Sequence, residues 1–334
     1  TIPYQVGVVF FIVIMVVYSW LGGMRSVAYT DTMQGIALLF GVIMLLVGSL
    51  MYFGTPGDAA AIMAANTPEK LAPPDGPGLL RWLSLLLLVG VGAAVYPHAV
   101  QRIFSARSEA TLKRSFIRMA YMPFATAGVV FVVGIIGIAA FPDLDTAGSE
   151  QLVGRMASAL ANQSAIFYWA MVLLFGGVIA AIVSTADSVL LTFCSIVSHD
   201  LYGRFVNRDA AQSRQIMVGK LVGLVAVVVL VIIAWYPPAT LYQIFVLKFE
   251  LLIQVAPALV IGLYWSRMNR RATLAGMVIG AVLASALTLA GLRPLGLFNG
   301  LWGLLLNLAI CVGGSLLSPP GTAEQNRARE LTHA

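Results

Sequence analysis

The sequence predicts an all-α integral membrane protein of about nine transmembrane helices. Two observations carry this. Of the 334 residues, 60% are hydrophobic and only 10% are charged, with a mean hydropathy of +0.91. A soluble domain carries about 25% charged residues. The apolar residues also fall in runs of about 20, the length a helix needs to cross the hydrocarbon of a bilayer. The net charge of +6 does not make a nucleic-acid surface, because the basic residues sit in short loops between apolar runs. Cys194 and Cys311 both lie inside apolar runs, where a thiol is a small buried hydrophobe. No disulfide framework, zinc spacing or haem motif is present.

The predicted spans are 4–22, 32–53, 79–101, 116–141, 166–198, 217–235, 241–265, 273–291 and 297–317. The first ends at the turn Gly22-Gly23, after which Thr30 or Asp31 has the side chain of an N-cap for the second. The third ends in Tyr96-Pro97-His98, where proline is expected to kink the helix and free backbone carbonyls. The fifth, 166–198, is longer than a span requires, so it is tilted or protrudes into water. Pro257 marks a second kink in the seventh. The two longest loops are 54–78, with the turn cluster Pro73-Pro74-Asp75-Gly76-Pro77, and 142–165, with a short helical pattern from Glu150 to Leu160.

Lysine and arginine set the orientation. With the loop after the third span placed inside, 15 basic residues fall on the cytoplasmic side and 4 on the other, Lys248 remaining within a span. The positive-inside rule then puts residue 1 outside and the C-terminus inside. The chain reads as one membrane domain over 1–318 and a polar cytoplasmic tail over 319–334. It does not begin with Met and a span starts almost at once, so it is expected to be a piece of a longer protein.

The chemistry centres on Ala180-Ala181-Ile182-Val183-Ser184-Thr185-Ala186-Asp187-Ser188. At helical spacing Ala181, Ser184, Thr185 and Ser188 form one stripe, and Asp187 flanks it one turn from Ser184. Hydroxyl, carboxylate and carbonyl oxygens suit a hard cation better than a soft metal. The competing reading is a Ser/Thr stripe that packs against a neighbouring helix. A carboxylate at membrane depth favours the functional one. Asp31 is a second acidic residue at the edge of a span, with capping and ion binding as its alternatives. Glu250 lies about 15 Å into the seventh span and shares a face with Gln254, while Lys248 points elsewhere. These three and the pair Tyr96 and His98 are the candidates for a substrate site or gate, the alternative for Lys248 and Glu250 being a buried structural charge pair with another helix.

Four segments resemble the sodium/solute symporter family, the one that includes sodium/glucose, sodium/proline and sialic acid symporters. They are Gly22-Gly23 through Tyr29-Thr30-Asp31 and Gln34; Pro97-His98 through Gln101-Arg102; Ala181 to Thr185 through His199-Asp200-Leu201-Tyr202; and Ala256-Pro257 through Gly262-Leu263-Tyr264-Trp265. The resemblance implies a LeuT-type inverted-repeat fold, here incomplete and running from the fourth core helix onward. It implies a sodium site at Ala181 (backbone), Ser184 and Thr185, and a second cation site at Asp31, Ser184, Asp187 and Ser188. The implied activity is sodium-coupled symport of a small organic solute by alternating access, with Na+ as coupling ion and no other cofactor. Lys248 favours a carboxylate or amino acid as solute. A multi-pass protein of the cell membrane, the bacterial inner membrane, follows. The alternative is a transporter-like sensor domain of a signalling protein. An enzyme is disfavoured, because no nucleophile with a base and no His/Glu metal cluster is present.

Overall fold

The structure is a computed structural model that describes the backbone of residues 6–10, 12–14, 24–104, 106–145, 148–236 and 239–321, and side chains within these ranges except at 24–31, 101, 102 and 104. The predicted span 4–22 and the predicted tail 319–334 fall largely outside the described residues. Among those residues all regular structure is helical: α1 (Met24–Tyr52), α2 (Pro56–Asn66), α3 (Gly76–Ala94), α4 (Pro97–Phe104), α5 (Glu109–Ala140), α6 (Leu152–Ala161), α7 (Ala165–Ser195), α8 (Gln212–Trp235), α9 (Leu241–Leu252), α10 (Arg270–Leu289) and α11 (Asn299–Leu317). α7 continues as a π-helix through Ile196–Val206, and α9 continues through a 3-10 turn and a π turn to Tyr264. Eight of these helical stretches are long and apolar enough to cross a membrane.

The eight coincide with the second to ninth predicted runs, and the differences have local causes. α1 begins at Met24, so positions 30 and 31 lie about two turns inside it and neither is its N-cap. α5 begins at Glu109, ahead of its apolar run, because Ser108 accepts from the Thr111 N–H at 3.2 Å and Lys113 pairs with Glu109 at 2.7 Å. That exposed pair contributes only a few tenths of a kcal/mol, so the cap carries most of the early start. The loop expected over 54–78 contains α2. There Thr55 and Asp58 form a capping box, with the Thr55 N–H donating to Asp58 Oδ2 at 2.8 Å, and Pro56 sits at the first helical position. Those hydrogen bonds from Thr55 hold the Asp58 carboxyl below its ordinary range. Pro97 does break the third run: α3 stops at Ala94 and α4 restarts at Pro97. Pro257 opens the π turn that follows α9.

The helices group into two compact units, Thr1–Ala72 with Ser105–Pro238, and Pro73–Phe104 with Ala239–Ala334. In the first, α1 and α7 run antiparallel at backbone contact. A methyl group at Gly41 would lie 2.6 Å from Leu174 Cα, and one at Gly177 would lie 3.0 Å from the Leu38 N. Small residues let transmembrane backbones approach this closely. Leu45, Ile136, Met156, Leu160, Phe167 and Leu174 fill the core beside this contact. In the second unit Leu88, Val246, Phe249, Ile253 and Phe298 form the core. α10 and α11 form a hairpin joined through glycine: a methyl at Gly303 would collide with the Gly280 carbonyl, and one at Gly276 would lie 2.6 Å from Asn307 Oδ1.

Candidate functional site

The α7 stripe divides around the helix. Ser184 is 6% exposed and Asp187 only 1% exposed, so both oxygens enter the protein interior. Thr185 is exposed, and its hydroxyl donates to the Ala181 carbonyl at 2.9 Å. Oxygen ligands of a hard cation lie about 2.3–2.6 Å from it, so two oxygens that close together can touch one ion. None of Ser184, Asp187 and Ser188 is free of interactions.

The register between α1 and α7 places the second acidic position. Leu38 lies against Gly177, Gly41 against Leu174, and Gly48 against Phe167, so each step forward on α1 matches the same step back on α7. Continued one turn, the same register sets Gln34 level with Ala181, and a second turn sets the backbone of residue 31 level with Ser184. Gln34 lines a groove with Gly177 and Ala180, and its buried Oε1 has no hydrogen-bond partner among the described residues. The register therefore sets position 31 level with Ser184 and Thr185, with Ala181 about one turn to one side along α7 and Asp187 and Ser188 about one turn to the other. In the sequence Gln34 stands out only as the end of the first resemblance segment; its position one turn after Asp31 is the signal that marks it.

The second unit gathers the remaining candidates in two groups. Lys248, half-buried, lies with Nζ 4.5 Å from the Phe249 ring centroid, 4.8 Å from Phe245 and 5.3 Å from Tyr96. Each such contact contributes about 0.5–2 kcal/mol, depending on how dry it is. His98 stands edge-on to Tyr96 at 4.3 Å. Tyr96, His98 and Lys248 thus share one site at the break between α3 and α4.

Glu250 belongs to the other group and is 3% exposed. Its Oε1 accepts from the Asn299 backbone N–H at 2.8 Å and its Oε2 from the Thr288 hydroxyl at 2.8 Å, while Asn299 Nδ2 donates to that hydroxyl at 2.9 Å. A carboxylate at the first residue of α11 also meets the positive end of that helix. Among the described residues Glu250 therefore engages neutral donors and not the charge pair with another helix that was its structural alternative. Gln254, 2% exposed, donates to the carbonyls of Glu250 (3.1 Å) and Gly300 (2.9 Å), and its own carbonyl accepts from Asn307 Nδ2 at 2.7 Å. Asn299 and Asn307, eight apart in an apolar run, are the sequence signal for these partners.

The described residues form membrane-length apolar helices, broken after α3 and after α9 in one unit and with the side chains of Ser184 and Asp187 buried in the other, which defines an α-helical integral membrane protein with polar groups at membrane depth. The family model of the sodium:solute symporter family matches residues 1–280, so the chain belongs to that family. The chain is 28% identical over 326 residues to the sodium/proline symporter of Escherichia coli K12, covering 94% of this chain and 63% of that protein. It is 29% identical over 319 residues to the sodium/pantothenate symporter of the same organism, covering 93% and 64%. The chain thus spans less than two thirds of the length of these relatives. A solved structure of a Na+-coupled sialic acid symporter, substrate-bound and outward-open, matches with a TM-score of 0.74 at 18% identity, over 95% of this chain and 68% of that one. This supports the LeuT-type fold. These relatives are symporters and lend no support to the sensor alternative.

Proposed function

We propose that the protein couples Na+ entry to uptake of a small organic solute by alternating access, as a multi-pass protein of the bacterial inner membrane. One observation carries this most directly. α7 buries Ser184 and Asp187 in a membrane-spanning helix, within a turn of the Ala181 carbonyl and the Thr185 hydroxyl, with Ser184 level with position 31. Hard oxygens at that depth suit a small cation, and water cannot readily replace one that is lost. In this reading Na+ takes the Ala181 carbonyl, Ser184 and Thr185, and a second cation takes Asp31, Ser184, Asp187 and Ser188. The solute sits toward Tyr96, His98 and Lys248, with Glu250 and Gln254 framing the same unit. Na+ acts by binding one conformation better than the other, which is the only way a ligand can bias such an equilibrium. The relatives named for proline and pantothenate support a small organic solute.

The test is solute uptake by the intact protein in membrane vesicles under an imposed Na+ gradient. Ser184→Ala and Thr185→Ala should each raise the Na+ concentration for half-maximal uptake several-fold. Uptake that runs equally well with K+ in place of Na+ would refute the proposal.

A further inference from the structure

We propose that Lys248 is the anchor for a single carboxylate, which makes the solutes small monocarboxylates with an apolar body. This inference rests on the symport reading above and adds the recognition group to it. The ammonium faces three rings, Phe249, Phe245 and Tyr96, at 4.5, 4.8 and 5.3 Å. Among the described residues no carboxylate lies within the 4.0 Å of an ion pair with it. Glu250, two residues on, has both oxygens committed to Thr288 and Asn299.

The rings occupy part of the ammonium's surroundings without cancelling its charge. A ring face is a weaker acceptor than a carboxylate, and the attraction left over grows as the surroundings dry. A charge in this state invites a counter-ion, and Lys248 is half-buried rather than sealed, so one can reach it. An ammonium is a point charge with three donors and accepts one carboxylate end-on, unlike the paired fork of arginine. Arg81, near the opposite end of α3 from Tyr96, and Arg293 lie against the Phe298 ring at 5.7 and 5.3 Å, and neither belongs to the cage. The cage therefore offers one positive charge and selects a monoanion over a dianion. The ring of Phe245, 40% exposed, and that of Tyr96 present apolar surface next to the charge for the body of the solute.

The competing role for Lys248 is a long side chain that carries its charge along apolar surface toward water. Binding to the purified intact protein in saturating Na+ separates the two. The probes are three pairs: proline and prolinamide, pantothenate and pantothenol, N-acetylneuraminate and its methyl ester. The proposal expects at least one carboxylate to bind, with its partner lacking that carboxylate about tenfold weaker or worse. Lys248→Met should abolish that preference and Lys248→Arg should keep most of it. Equal binding of the two members of a pair, an intact preference in Lys248→Met, or no binding by any of the three carboxylates would overturn it. Na+-driven uptake of the partner lacking the carboxylate as fast as its carboxylate would also overturn it while leaving symport standing. Uptake indifferent to Na+ with the preference intact would sink symport alone.

Discussion

The Asn299 backbone N–H donates to Glu250 Oε1 at 2.8 Å, so the first residue of α11 is held by a carboxylate 49 positions earlier in the chain. Thr288, near the end of α10, holds the other oxygen. One side chain of α9 thereby pins both helices of the hairpin at its turn.

Removing that clamp should cost stability before it costs affinity. Glu250→Ala leaves the buried Asn299 N–H without its acceptor, while the Thr288 hydroxyl keeps the Ala284 carbonyl at 2.9 Å, and is expected to destabilise the protein by about 1–3 kcal/mol. Glu250→Gln keeps the shape and an acceptor and should lose roughly 1 kcal/mol. Denaturation in detergent measures both. Unchanged stability with weakened solute binding would return Glu250 to the substrate site.

The hairpin itself should not tolerate side chains at its contact. Gly303→Ala places a methyl against the Gly280 carbonyl and 2.8 Å from Gln254 Nε2, and the carbonyl cannot retreat without moving a helix. Overpacking of this kind costs about 1–3 kcal/mol. A melting temperature equal to the parent's would show that the helices separate more easily than their packing implies.

Asp187→Asn keeps the shape of the buried side chain and removes its charge. If Asp187 ligates a second cation, the number of ions moved per solute should fall, read from reversal potentials in proteoliposomes. Stoichiometry and Na+ affinity that stay put while stability drops would assign Asp187 to helix packing.

Orientation is open to a direct check. With Cys194 and Cys311 replaced, a cysteine at Arg107, in the exposed turn before α5, should react with an impermeant thiol reagent only from the cytoplasmic side. Reaction from outside would invert the topology.

The sequence revealed the spans well, because burial in lipid demands long apolar runs and leaves few alternatives. It predicted the breaks at Pro97 and Pro257 for the same kind of reason, since a missing N–H has a fixed consequence. It missed α2, whose signal is the short pattern Thr55-Pro56 with Asp58 and not hydropathy. The stripe on α7 was legible as spacing. That Thr185 turns outward while Ser184 and Asp187 turn inward was not, because it depends on where α1 packs, and that is fixed by Gly41, Gly48 and Gly177. Lys248 and Glu250 looked alike as charges in an apolar run. Their environments differ because i and i+2 point to different neighbours, aromatic rings for one and helix ends for the other.

The contact between Gly280 and Gly303 has a mechanical consequence. Two backbones that touch without intervening side chains leave no slack for shear, since a slip of a fraction of a turn drives a carbonyl into a Cα. α10 and α11 then keep step with each other in every conformation the protein adopts, and they form a ruler against which other displacements can be read. Spin labels on the outward-facing Val278 and Leu305 would hold one separation in Na+-loaded and Na+-free protein alike, giving every other labelled pair its fixed reference frame.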